Sequence, residues 1–147
     1  MITVSRTFTV AAPVPAVLAY LRDLGNSADW DPAGRRTTRV DAGPVAVGAS
    51  WRGESRILGV RAELTYTLVE AAGDRLVFAG HSEGAGSTET ITVRPAPAGA
   101  EVTYRVDLEV HGLAKLAAPV LRLELEKLGT GSAGRLTAVL NGLAQAA

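Results

Sequence analysis

Cysteine is absent from this 147-residue chain, which excludes disulfides, thiolate nucleophiles and zinc–thiolate centres together. A charge excess is absent too: 15 Lys and Arg balance 15 Asp and Glu, so no global field recruits nucleic acid or an anionic bilayer. No apolar run approaches the length of a membrane span. The opening MITVSRTFTV alternates polar and apolar residues where a secretory signal would show a basic start and an unbroken apolar stretch. Histidine is limited to His81 and His111, neither with a partner at ligand spacing, so neither a metal site nor a cofactor is expected. These absences fit one cytoplasmic domain over residues 1–147, long enough to bury a core without covalent staples.

What remains is patterning. Ile2, Val4, Phe8 and Val10 share one parity and read as a half-buried strand. Arg6 breaks that parity: either its guanidinium points into a polar part of the interior, or a bulge or strand-end position turns it outward, and the second is the expected resolution. Val17, Tyr20, Leu21 and Leu24 then fall at helical spacing over Pro15 to Asp23, with Pro15 suited to a first turn. Gly25, Asn26 and Ser27 break that helix, and Ala28 to Asp31 add a further turn.

From Arg35 the period becomes two. Segments near 35–41, 47–58, 61–70, 75–83, 87–95 and 100–111 read as strands. Gly43 with Pro44, Gly59, Gly73 with Asp74, Gly84 with Gly86, and Pro95 to Gly99 supply turns between antiparallel neighbours. No helix intervenes, so parallel crossovers are excluded. Val102, Tyr104, Val106, Leu108 and Val110 alternate with polar residues, and Leu64, Tyr66 and Leu68 do the same. A sheet with one dry face needs a cover.

The long candidate for that cover is the segment after Gly112. Leu113, Leu116, Val120 and Leu123 form one apolar line, and Leu121, Leu125, Leu128, Leu136, Leu140 and neighbouring apolar residues form a second. Pro119 would delete a helix hydrogen bond, so the helix starts or kinks near it. Gly129, Gly131 and Gly134 match GxGxxG, but a dinucleotide site needs a strand before the motif and an acidic residue ~20 positions after it. Three helical glycines cost ~1 kcal/mol each relative to alanine. Either the helix breaks there, or small residues leave space against the sheet.

The order of these elements resembles the START-like, or SRPBCC, superfamily, in particular its polyketide cyclase/dehydrase-like bacterial branch. VSRTFTVAAP followed by VPAVLAYLRDLGNSADWDP, with Asp23, Asn26, Trp30 and Pro32, carries the resemblance, as do VGASW, LTYTLVEAAGDRLVF and the final HGLAKLAAPVLR. It covers nearly the whole chain. The resemblance implies an α+β helix-grip fold: an antiparallel sheet of about seven strands, with two short helices after the first strand, wrapped around a long C-terminal helix. It also implies a cavity between sheet and helix. Its members include cyclases, lipid and hormone binders and chaperone-like partners, so the resemblance alone does not choose among functions.

The residues that might carry chemistry are few. Trp30, Trp51, Tyr66, Phe78 and Tyr104 are most of the large aromatics, and most sit on the interior parity. The plainest role for any one is core, while buried Tyr66 and Tyr104 would need hydroxyl partners. Glu89 shares parity with Ile91 and Val93. Pointing inward, its carboxyl would have a raised pKa and act as acid or base, although a solvated strand end is the commoner fate. His81 and His111 read as surface residues. Arg35, Arg36 and Arg39, with Arg52 and Arg56 on a neighbouring strand, could form an anion or partner patch, but a charged outer face or edge is the commoner arrangement and the one expected. No catalytic triad, paired carboxylates or phosphate loop can be assembled.

The leading reading is a module that binds an apolar small molecule, with a ring or an acyl chain, between sheet and C-terminal helix. Its ligand contacts would come from Trp30, Trp51, Tyr66 and Phe78, together with Glu89, Tyr104, Leu108 and Val120. A cyclase or dehydratase is the alternative, using a tyrosine, Glu89 or His81 for proton transfer. A protein-interaction module is a third reading, and it requires a fully packed interior.

Overall fold

The period-two segments form one sheet. The computed structural model describes residues 1–33, 35–57 and 60–146; Gly59, expected as a turn, lies outside the described residues, as does the side chain of Leu113. The strands are Ile2–Val10 (β1), Arg36–Arg39 (β2), Ser50–Ile57 (β3), Val60–Ala71 (β4), Arg75–His81 (β5), Ala85–Ala96 (β6) and Gly99–Val110 (β7). They lie in the order β1-β7-β6-β5-β4-β3-β2, and every pair is antiparallel. Between β6 and β7 the chain turns at Gly99, whose φ of 153° and close approach to the Ala11 carbonyl leave no room for a side chain.

Helix α1, Val14–Arg22, follows β1, with a proline in its first turn and Val17, Leu18 and Leu21 buried on one face. The expected break at Gly25 to Ser27 is instead part of a 3₁₀ helix, Leu24–Asp29. The physical reason is the cap: the Asp23 side chain accepts the Gly25 N–H at 2.9 Å, and the Asn26 amide donates to the Tyr20 carbonyl at 2.8 Å. A second 3₁₀ helix, Gly112–Ala117, leads into α2, Ala118–Ala146. Pro119 stands in the first turn of α2, where its missing N–H removes no intrahelical bond.

The inner face of the sheet carries the core. Leu68, Leu76, Phe78, Ile91, Val93 and Val102 are buried there, and Trp51 meets Phe78 edge to face with centroids 5.9 Å apart. Helix α2 packs along β1 and is anchored by Leu136 and Leu140, both fully buried. Each such leucine contributes about 1.5–3 kcal/mol relative to an exposed one.

The two apolar lines of the C-terminal segment have different fates. Leu116, Val120 and Leu123 are 82%, 55% and 67% exposed, so they do not join the covered face. At ~100° per residue, Leu123 and Leu125 point in nearly opposite directions around the helix, and the Leu125 side faces the sheet. The helix runs unbroken through its glycines. Gly129 is pressed against β1: a methyl group there would lie 2.6 Å from Cγ1 of Val4. Gly131 abuts Pro32, whereas Gly134 faces open space.

The expected bulge at Arg6 does not occur. Ile2 to Val10 pair with Leu108 to Ala100 without a shift, so Arg6 keeps the inward parity. It remains there because α2 supplies its partner: Nη2 donates to the Glu126 carboxylate at 2.7 Å and to the Glu126 carbonyl at 3.0 Å. Among the described ladders, a register shift falls in β4–β5 between Leu68 and Glu70, which keeps Glu70 off the inner face and beside Arg75.

Candidate functional site

Between the inner face of the sheet and the first half of α2 is a cavity of ≈ 120 Å³, neither sealed nor flat against solvent. By volume it is comparable to the engineered apolar cavities of roughly 150 Å³ that bind benzene. Its apolar wall comes from Val4 on β1, Leu64 on β4, Val106 and Leu108 on β7, and Leu125 and Leu128 on α2. Alternation along the strands and the helical repeat on α2 put these side chains on the facing surfaces.

One end of the cavity is polar. Glu89, on β6 between Phe78 of β5 and Val106 of β7, is 5% exposed. It accepts a hydrogen bond from Arg35 Nη1 at 2.8 Å and another from the Tyr104 hydroxyl. Arg35, just before β2, is 2% exposed. The outer-face reading of this arginine is therefore corrected: Arg36 is exposed, but Arg35 turns into the interior, where a carboxylate and two aromatic rings compensate its charge. Its Cζ lies 5.5 Å from the Trp30 ring centroid and 5.0 Å from that of Tyr66. Asp31 Oδ2 stands 3.2 Å from Arg35 Nε, and Asp31 Oδ1 accepts the Ala33 N–H at 2.9 Å.

The electrostatics follow from burial and pairing. Burial is the largest single influence on the Arg35 guanidinium and disfavours its charge, but Glu89, Tyr104, Asp31 and Tyr66 together outweigh it and hold the group well above its ordinary pKa. Burial also pushes the Tyr104 hydroxyl well above 10.0, and adjacent Glu89 pushes it further. Tyr66 is raised by burial against the opposing pull of Arg35. Burial raises the Asp31 carboxyl as well, again with Arg35 opposing. The arrangement therefore presents a fixed cation, a tyrosine that keeps its proton, and carboxylates able to accept hydrogen bonds.

The ligand-contact residues expected from sequence separate into two groups. Tyr66, Glu89, Tyr104 and Leu108 line the cavity. Trp30, Trp51 and Phe78 pack in the core instead. Trp30 still supports the site, meeting Tyr104 edge to face at 5.5 Å, while Trp51 lies under Arg39. Val120 faces solvent, because it stands on the outer side of α2. Glu89 takes the inward position, not the solvated strand end. His81 and His111 are exposed and do not border this cavity.

Sequence reasoning passed over Asp31 and read Arg35 and Arg6 as outward-facing. It also passed over Gly53 and Gly80, two glycines inside strands that form the bed for the Tyr66 ring. The available signal was an isolated glycine within a strand pattern, which marks a close approach.

A family model described as polyketide cyclase / dehydrase and lipid transport matches residues 1–147. No curated protein matches the sequence. Among solved structures, the Zhui aromatase/cyclase from Streptomyces sp. R1128 is similar at 16% identity and a TM-score of 0.73, over 97% of this chain and 93% of that one. The di-domain ARO/CYC StfQ of the steffimycin biosynthetic pathway is similar at 16% identity and a TM-score of 0.74, over 98% of this chain and 52% of that one. A protein from Chromobacterium violaceum matches at 18% identity and a TM-score of 0.71, over 96% and 99%. Likeness at this identity concerns the fold. Among the described residues, no helix is long and apolar enough to cross a membrane.

Proposed function

The chain belongs to the polyketide cyclase / dehydrase and lipid transport family, and from that membership we propose that its cavity holds a small, largely apolar molecule carrying a ring or an acyl chain. The observation that carries this reading is an apolar-walled cavity with polar groups gathered at one end. Burial of ring or chain against Leu64, Val106, Leu108 and Leu125 supplies affinity, and Tyr66, Tyr104 and Glu89 fix orientation. An interaction module with a packed interior has no use for such a space.

Toluene, followed by ¹H–¹⁵N NMR, tests the reading. Saturable shifts confined to the cavity strands and α2 are expected. Ala62, on the wall, offers the control: Ala62→Phe fills the space and abolishes those shifts while the remaining spectrum persists. Shifts scattered over the surface, or insensitive to Ala62→Phe, would count against binding in the cavity.

A second reading, an enzyme that cyclises or dehydrates a reactive chain, is favoured by one contact, the Tyr104 hydroxyl on the Glu89 carboxylate beside the cavity. A tyrosine that keeps its proton is placed to donate it, and the carboxylate is placed to receive one. If Tyr104→Phe and Glu89→Gln fold and still support full turnover of a candidate poly-keto substrate, proton transfer by these groups is excluded; if the unsubstituted protein turns over no such substrate, sequestration stands alone.

A further inference from the structure

Five charged side chains meet at or beside the cavity, and their pairing leaves one over. Arg6 on the wall is matched by Glu126: its Nη2 donates to that carboxylate at 2.7 Å, and its Nη1 donates to the Ser5 carbonyl at 2.8 Å. Arg35 is matched by Glu89 at 2.8 Å, with Trp30 and Tyr66 close to the guanidinium. Asp31 lines the same cavity, and the one cation in contact with it among the described residues is Arg35, already matched to Glu89. Arg135 reaches Asp31 only as a field from the exposed side of α2, where solvent screens it. The surplus charge is a carboxylate.

Resting on the binding reading above, we propose that the cavity selects an uncharged ligand bearing a hydroxyl group and rejects carboxylates, with Asp31 setting the preference. A carboxylate entering this space sheds its water, finds both guanidinium charges already balanced by carboxylates, with Arg35 Nη2 a donor that a neutral acceptor can equally use, and meets an unmatched like charge. A hydroxyl needs no counterion. It finds acceptors in Asp31 and in the hydroxyl oxygens of Ser87 and Ser132, which share the wall. The preference therefore separates phenols and alcohols from fatty or aromatic acids of equal apolar bulk. Length and hydrophobicity alone do not make that distinction.

The test compares toluene, 4-methylphenol and 4-methylbenzoate by ¹H–¹⁵N NMR titration at about pH 8, where carboxylates are ionised and the phenol is not. The expected order is phenol, then toluene, then benzoate, with benzoate roughly tenfold or more weaker than phenol. Asp31→Asn is expected to narrow that gap. Glu126→Gln, which frees Arg6, is expected to raise benzoate affinity by an independent route. Benzoate binding the wild type as tightly as phenol, or a gap unchanged in both variants, overturns the charge selection while toluene binding stands. Failure of toluene itself to bind overturns the cavity reading and this proposal with it.

Discussion

The ring of Tyr66 lies across Gly80, its direct partner on β5, so closely that a methyl group at Gly80 would stand 2.8 Å from Cε1. On the other side, a methyl group at Gly53 would stand 2.5 Å from Cε2 of the same ring. The ring is flanked by two glycines and carries the Arg35 guanidinium 5.0 Å from its centroid. A buried ring has little freedom to move aside. Gly80→Ala is therefore expected to destabilise the protein by about 1–3 kcal/mol in urea unfolding. Gly84→Ala, with nothing within 4 Å, serves as the control and should stay within about 0.5 kcal/mol.

The Arg35–Glu89 pair gives a sharper energetic signature. Removing one member strands the other's charge in a site where both are almost fully buried. Arg35→Met or Glu89→Leu alone should cost about 3–5 kcal/mol. The double variant should cost clearly less than the sum, since neither member is left charged without the other, although the Asp31 contact is lost, and a double-mutant cycle measures the difference. Strict additivity would mean that the pair is not coupled.

Alkaline titration should show all three tyrosines resisting ionisation. Burial, then the hydrogen bond to Asp29, pushes Tyr20 to about 12, and Tyr66 and Tyr104 are also raised. These are acids whose folded pKa lies above the unfolded value. Their contribution to stability is therefore whole below about 10 and is lost as pH rises through the folded values. Absorbance of the native protein should show little tyrosinate near pH 10, while the same titration in denaturant shows about half conversion. Three ordinary midpoints in the native protein would contradict the buried placement.

Two glycines of α2 should respond oppositely to one substitution. Alanine at either position gains helix propensity of up to ~1 kcal/mol. Gly134 faces open space, so Gly134→Ala should raise the urea midpoint. Gly129 is held against Val4, so Gly129→Ala should lower it, or force α2 away from β1 and alter the cavity. Equal responses would show that the helix does not sit on β1 as described.

The strands were legible because each side chain's fate on a half-covered sheet is its parity, and Val102 to Val110 write that parity out almost without error. The start of α2 was legible because proline has few places to go in a helix. The polar end of the cavity was not. Arg35 sits in a local run of arginines that reads as a wet surface, and its partner Glu89 lies 54 residues away. Arg6 likewise looked misplaced because the carboxylate that accommodates it is 120 residues distant. Polar residues become interior only through partners, and partner distance in sequence carries no periodic signal. Val120 failed for a different reason: helical spacing reveals that a line is apolar, but a helix with two such lines does not announce which one is covered.

Strand β1 precedes the other strands in sequence but can pair only once β7 has followed. Strands β3 to β7 follow one another through short connections, whereas β1, at the sheet edge, pairs with β7 across almost the whole chain, Ile2 opposite Leu108. Closing that loop carries an entropic cost that the hairpins avoid, and non-local pairings of this kind slow folding. Val4 and Arg6 arrive with the strand, and so does the seat for Gly129. A partly folded chain that has assembled the meander but not yet captured β1 lacks one wall of the cavity, so the cavity arises at the step that joins β1 to β7.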